Sequence, residues 1–160
     1  MLSCTRANGR AETVESVVAC RSMATLLRQD LLLLSEQWLI DARTLLAAKR
    51  YPGAYHAGGL ALECALKARI AKLRQAEEFP DKELAQRAWK HDPTELLKVA
   101  ELSGLLDSAS GAVQTNWATV KDWKAESRYT HSVNPATVIA FLDALDHPTD
   151  GVLPWLRSHC

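Results

Sequence analysis

The sequence predicts an all-α protein, an up-and-down antiparallel helical bundle of four to five main helices. Three observations predict it. Leu and Ala dominate a composition that is 48% hydrophobic and 24% charged, with only 7 Gly and 6 Pro to interrupt helices. Runs of β-branched residues are nearly absent, which disfavours strands. Through the longest stretches the apolar residues recur at three- and four-residue steps, the period of a helix with one buried face. A chain of 160 residues is long enough to bury one proper core. It divides into a loosely ordered tail over 1–21 and a helical domain over 22–160.

Within the tail, Asn8-Gly9 is a turn signal, and Ala11 to Cys20 could form a short helical turn. The first sustained period starts after Met23. Leu27, Leu31, Leu34, Trp38, Ala42, Leu45 and Leu46 predict a helix from about Ala24 to Lys49. Tyr51-Pro52-Gly53 then breaks the chain, because Pro cannot continue one helix but suits the first turn of the next. So short a connection predicts an antiparallel hairpin.

The second helix is expected from Pro52 to Ala76, with Tyr55, Gly59, Leu62, Leu66, Ile70 and Leu73 as its apolar stripe. Gly58-Gly59 inside it costs roughly 1 kcal/mol per residue relative to Ala. Two such residues together point to a close helix approach or room for a ligand. Phe79-Pro80-Asp81 is a break, and a short helix over Lys82 to Trp89 could follow.

Asp92 is a natural N-cap, Pro93 suits the first helical position, and Glu95 fits a capping box. This third helix is expected to end at Ser103-Gly104, where Gly suits a left-handed cap. Val113, Trp117, Val120 and Trp123 predict a fourth helix, and Ser127 to Asn134 a loop. Asn134-Pro135 opens a fifth helix through Val138, Leu142 and Leu145. A last turn over Val152 to Leu156 should pack back through Trp155.

Charge and cysteines restrict function. The 19 basic and 19 acidic side chains cancel, which argues against a general nucleic-acid coat and leaves any such contact to a local patch or a dimer groove. Cys4, Cys20, Cys64 and Cys160 are widely spaced and suit neither a disulfide framework nor a zinc site. Cys64 reads as a small buried hydrophobe. No apolar run is long enough to span a bilayer and no signal-peptide core is present, so a cytoplasmic location without membrane association is expected. No Gly-rich phosphate loop or nucleophile motif occurs, so no cofactor is expected.

The run Tyr51-x3-Tyr55-His56-Ala57-Gly58-x3-Leu62-Glu63-Cys64-Ala65-Leu66-Lys67-Ala68 resembles the second helix of HEPN domains. Asn116-Trp117, Trp123-x2-Glu126 and Arg128-Tyr129 are similar to the Trp and Arg-Tyr signature of one HEPN subgroup, and Gly151-Val-Leu-Pro-Trp155 to its terminal element. The resemblance covers roughly Asp30 to Leu156. It implies a helical bundle that forms a homodimer. Members include metal-independent endoribonuclease toxins of toxin–antitoxin or phage-defence systems, partners of nucleotidyltransferases, and non-catalytic RNA- or nucleotide-binding modules. A nucleotidyltransferase, an antitoxin protein, RNA or a nucleotide are therefore the expected partners. A plain protein-interaction bundle is the remaining alternative.

Catalytic members carry an Arg followed four to six residues later by a His. Arg holds the scissile phosphate and its developing charge, and His moves protons near neutral pH. Here the chain departs from that pattern. Arg128 and His131 have only two residues between them, while Arg50 and His56 have the spacing but fall at the start of the second helix. Arg128, His131 and His56 are thus the catalytic candidates.

A helical wheel adds binding candidates. At 100° per residue, with Lys67 at zero, His56 and Arg74 fall at about −20° and Glu63 at about −40°. They form a polar seam beside the apolar stripe. Glu63 and Lys67 could be an ordinary i,i+4 pair worth about 0.2–0.5 kcal/mol. Alternatively the seam could face Arg128, Tyr129 and His131 across a cleft, with Tyr129 stacking on a base. Tyr129 could instead anchor its loop while Arg128 pairs with Glu126 or Glu63. Trp117 and Trp123 read as core. His91-Asp92 is similar to the ligand pair of HD-type metal hydrolases, but Asp92 is accounted for as a cap and no metal site is expected.

Overall fold

In the computed structural model residues 27–73 and 86–160 are described, and every element among them is helical. The tail over 1–21, the expected turn from Ala11 to Cys20, the helix start at Ala24 and the break at Phe79-Pro80-Asp81 lie outside the described residues, as does Arg74. So does the far end of the second helix at Ala76.

Helix α1 spans Arg28–Ala47. Its buried line is Leu31, Ser35, Leu39 and Ala42, while Leu34, Trp38, Leu45 and Leu46 flank it half-buried and Leu27 is exposed. The expected stripe is thus rotated onto a serine. Ser35 tolerates full burial because its hydroxyl donates to the Ala61 carbonyl of the neighbouring helix at 2.8 Å.

The α1 helix ends before Pro52 acts on it. Lys49 adopts a left-handed conformation with φ 57°, its N–H donates to Leu46, and that of Arg50 donates back to Leu45. These two bonds form a Schellman motif in which Lys takes the place usually held by Gly. Helix α2, Tyr51–Leu73, follows at once, and the three-residue connection folds the pair into a hairpin.

Helix α2 is the axis of the bundle. Ala54, Ala57, Gly58, Ala61, Leu62, Ala65, Leu66 and Ala68 are all buried, so it is enclosed on nearly every side rather than along one stripe. Small residues make this possible. A Cβ at Gly58 would lie 2.6 Å from the Leu142 side chain, and one at Gly59 would lie 1.8 Å from the Trp123 indole. The glycine pair therefore marks a close approach on two sides of the helix.

Helix α3, Pro93–Val99, is capped as its sequence predicts: the Asp92 carboxylate accepts from the N–H groups of Thr94 and Glu95. Glu95 does not close the reciprocal half of a capping box, because its carboxylate holds Lys98 at 2.8 Å. The helix stops short of the expected end at Ser103-Gly104. Glu101 turns left-handed at φ 56°, and Leu102 N–H donates to Leu97 in a second Schellman motif. Burial of both leucines rewards the turn. A separate short helix α4, Ser103–Asp107, then contains Gly104.

Helix α5 spans Gly111–Val120 and buries Val113, Trp117 and Val120. Trp123 lies beyond its end, contrary to the expected fourth helix, yet only 1% of it is exposed. A 3₁₀ helix over Ala125–Tyr129 occupies the start of the expected loop. Helix α6, Pro135–Asp146, opens on Asn134, whose side chain caps the N–H of Ala136. Helix α7, Val152–His159, is longer than the predicted turn. It packs through Val152, Leu153 and Leu156, and Trp155 is only half-buried at its edge.

Side chains lock this arrangement from two directions. Arg43 on α1 reaches Asp143, Asp146 and the Leu142 carbonyl of α6, at 3.1, 3.2 and 3.1 Å. Arg69 on α2 donates to the carbonyls of Ala100 and His159, joining α3 and α7 to the axis. No helix among the described residues is long and apolar enough to cross a membrane.

Candidate functional site

The polar edge of α2 emerges where the glycine pair lets Trp123 in. With the indole seated on Gly59, the following 3₁₀ helix is held against the start of α2. Ser127 Oγ there shares a 2.9 Å hydrogen bond with His56 Nδ1, and the His56 ring lies 6.0 Å from that of Trp123. Burial lowers the His56 pKa, the Arg128 guanidinium lowers it further, and Glu63 partly opposes them. His56 is therefore neutral at pH 7.

Glu63, one turn beyond Gly59, is only 7% exposed. Its Oε1 accepts from Lys67 Nζ at 2.8 Å and from His91 Nδ1 at 2.9 Å. Its Oε2 is buried without a partner among the described residues, as is the Trp123 indole Nε1. A buried acceptor and a buried donor thus both lie unsatisfied along this edge, where each forfeits its solvation. Burial, and secondarily Glu63, push the thiol of adjacent Cys64 up to about 11, so it stays protonated at neutral pH although it is half-buried rather than fully enclosed.

Beside the His91 that bonds Glu63, the chain over 90–92, Lys124 and the first turn of the 3₁₀ helix border an open cavity of about 360 Å³ lined by Lys90, His91, Asp92, Lys124 and Glu126. Lys124 and Asp92 form an ion pair that ties these two segments together. Burial raises the Asp92 carboxyl, but the bond from Lys124 and the capping N–H groups outweigh it and leave the pKa low. The pair therefore remains charged over the neutral range.

The candidates from the sequence separate into three groups. His56, Glu63 and Lys67 share the polar edge of α2, with Arg128 close enough to His56 to influence its charge. Glu126 lines the cavity beside them. Tyr129 does not anchor its loop: it is 75% exposed, and the Arg128 guanidinium sits over its ring at 4.9 Å. Arg128 pairs with neither Glu126 nor Glu63 among the described residues. His131 is exposed and has no hydrogen bond or ion pair among them, so it joins no cluster.

The sequence reading missed two participants. His91 reaches Glu63 from 28 residues away, a contact that no local spacing announces. Trp89 is 78% exposed, and Lys67 Nζ lies 5.9 Å from its ring. Among the described residues no group of three or more His, Cys, Asp and Glu is placed to hold a metal ion. No protein-family model, curated protein or solved structure matches the chain.

Proposed function

We propose that the chain is a HEPN-like module that binds RNA or a nucleotide along the polar edge of α2 and serves a nucleotidyltransferase or antitoxin partner in a defence system. The observation that carries this reading is the Arg128–Tyr129 pair. An exposed aromatic face is backed by a guanidinium that pairs with no carboxylate among the described residues. Such a pair offers one surface for stacking on a base and one cation for a phosphate. His56, Lys67 and the Lys90–Lys124 cavity extend it with further polar groups. Arg43 and Arg69, by contrast, are consumed by carboxylates and carbonyls.

Fluorescence anisotropy with labelled RNA tests it. Arg128→Ala and Tyr129→Ala should each weaken binding about 5-fold or more while leaving the melting temperature unchanged. Equal binding by wild type and both variants would refute the reading. If neither RNA nor any nucleotide shifts the melting temperature, the chain is a protein-interaction bundle.

One observation favours a second reading, a metal-independent endoribonuclease. His56 is neutral at pH 7 and lies near Arg128, the protonation state a general base requires. In that reading His56 takes the 2′-hydroxyl proton and Arg128 holds the phosphate, with no role for His131. RNA cleavage in EDTA that disappears in His56→Gln would establish it. Intact RNA after prolonged incubation with wild type would leave the binding module.

A further inference from the structure

We infer that an unpaired base stacks on Trp89, so that the groove takes a single strand spanning several nucleotides rather than a lone nucleotide or a duplex. This rests on the nucleic-acid reading above and adds its far end.

Trp89 is at odds with the other tryptophans. Trp117 and Trp123 are buried, and Trp38 and Trp155 pack against the core, but Trp89 leaves 78% of its surface in water. An indole carries a large apolar area, and leaving it exposed forfeits the stabilisation that burial provides. Nothing in the packing of the described residues uses it. Only two rings there have a cation against their face, and both are exposed: Trp89 with Lys67, and Tyr129 with Arg128.

A continuous chain of contacts joins these two platforms. Lys67 below Trp89 bonds to Glu63, Glu63 bonds to His91, and His91 lines the cavity shared with Lys124 and Glu126. Glu126 belongs to the same 3₁₀ helix as Arg128 and Tyr129. Along α2 the distance from His56 to Lys67 is roughly 16 Å at 1.5 Å per residue. A stacked strand advances ~3.4 Å per nucleotide and an unstacked one more, so that length corresponds to at most about five nucleotide steps. A mononucleotide cannot reach both ends. A duplex keeps its bases stacked on one another, so neither ring can receive one.

Charge agrees with this occupant and sets a measurable slope. Lys67 and Lys124 are neutralised by Glu63 and Asp92, whereas Lys90 and Arg128, against the single carboxylate of Glu126, have no ion pair among the described residues. Two free cations meet about two phosphates. Stacking, which is insensitive to salt, therefore supplies a large share of the affinity.

The test measures anisotropy of fluorescein-labelled oligouridines of about two, five and eight nucleotides, and of an RNA hairpin, against the full chain. Affinity should rise from the two-mer and level by about five nucleotides at most, and the hairpin stem should bind at least tenfold more weakly. A log–log salt slope near −1.4 is expected, from about −0.7 per contacted phosphate on a single strand. Trp89→Ala should lower affinity for the eight-mer about 5- to 100-fold, and Trp89→Phe should restore most of it. The exposed position predicts an unchanged melting temperature in both variants.

If Trp89→Ala binds the eight-mer like wild type while Arg128→Ala does not, the Trp89 platform is overturned and the groove reading stands. If no RNA of any length binds, both are overturned. If Trp89→Ala changes the sedimentation coefficient but not RNA binding, the indole belongs to a protein contact and the inference is also overturned.

Discussion

Gly58 and Gly59 on α2 meet their neighbours with no space to spare, whereas one turn further along Glu63 leaves an oxygen without a partner. At the glycine pair, two side chains, Leu142 and Trp123, approach the helix backbone so closely that even a methyl group would collide. At Glu63 the side chain is almost as deeply buried, but it satisfies one oxygen with two donors and the other, among the described residues, with none. The first region is close-packed, although the Trp123 Nε1 donor within it also lacks a hydrogen-bond partner among the described residues, and the second is built around a shared carboxylate. Buried polar groups left unsatisfied lower stability wherever they occur, and it is the exposed Tyr129 and Trp89 rings, each with a cation against its face, that mark the second region as the candidate site.

The largest expected effect tests the tight half. Gly59→Ala places a Cβ within 2.2 Å of three atoms of a fully buried indole, and should cost about 3 kcal/mol in urea unfolding. A cost below about 1 kcal/mol would show that Trp123 can withdraw, and the contrast would collapse. The loose half should respond less. Glu63→Gln keeps the shape but removes the charge that Lys67 and His91 share, at about 1–2 kcal/mol by the same measurement.

Two arginines sharpen the difference further. Arg43→Ala removes bonds to Asp143, Asp146 and a carbonyl, and should destabilise by about 1 kcal/mol. Arg128→Ala should stay within about 0.5 kcal/mol, because it has no ion pair to lose. An equal loss for both would make Arg128 a structural residue.

The smallest effect is a pH dependence. The folded-state pKa of His56 lies below its ordinary value, so on acidification the unfolded chain takes up its proton first. Its contribution is fully present above about pH 6.5 and is lost as pH falls from there toward the lowered folded value. Urea midpoints measured from pH 7.5 to 5 should therefore fall less steeply in His56→Asn than in wild type. Identical slopes would place His56 in ordinary solvent.

Much of the scaffold is legible in the amino-acid sequence alone. The Asp92-Pro93 and Asn134-Pro135 caps depend on contacts within one turn and appear where expected, and the Gly58-Gly59 pair does mark a close approach. The buried line of α1, by contrast, runs through Leu31, Ser35, Leu39 and Ala42 rather than along the expected leucine stripe. The features that sequence does not announce depend on distant partners. Ser35 looks like a surface residue until the Ala61 carbonyl is placed beside it. Glu101 gives no sign of a left-handed turn, because burial of Leu102 rather than its own chemistry holds it there. Trp123 keeps the helical spacing of Trp117 and Val120 although the helix has already ended. At the site, the polar edge of α2 follows from a wheel, but its union with His91 and Trp89 requires the chain to return from outside the helix.

The seat of Trp123 on Gly59 has a consequence for how this protein could diverge. The two positions share one volume, so neither can change size alone. A larger residue at 59 becomes tolerable only alongside a smaller one at 123, and a double-mutant cycle on the pair should show strong compensation. Because the segment carrying Ser127, Arg128 and Tyr129 follows directly from that indole, any such exchange would also reposition the candidate site. In related chains, glycine and tryptophan at these two places should therefore be kept or lost together, with the groove's specificity drifting whenever they are lost.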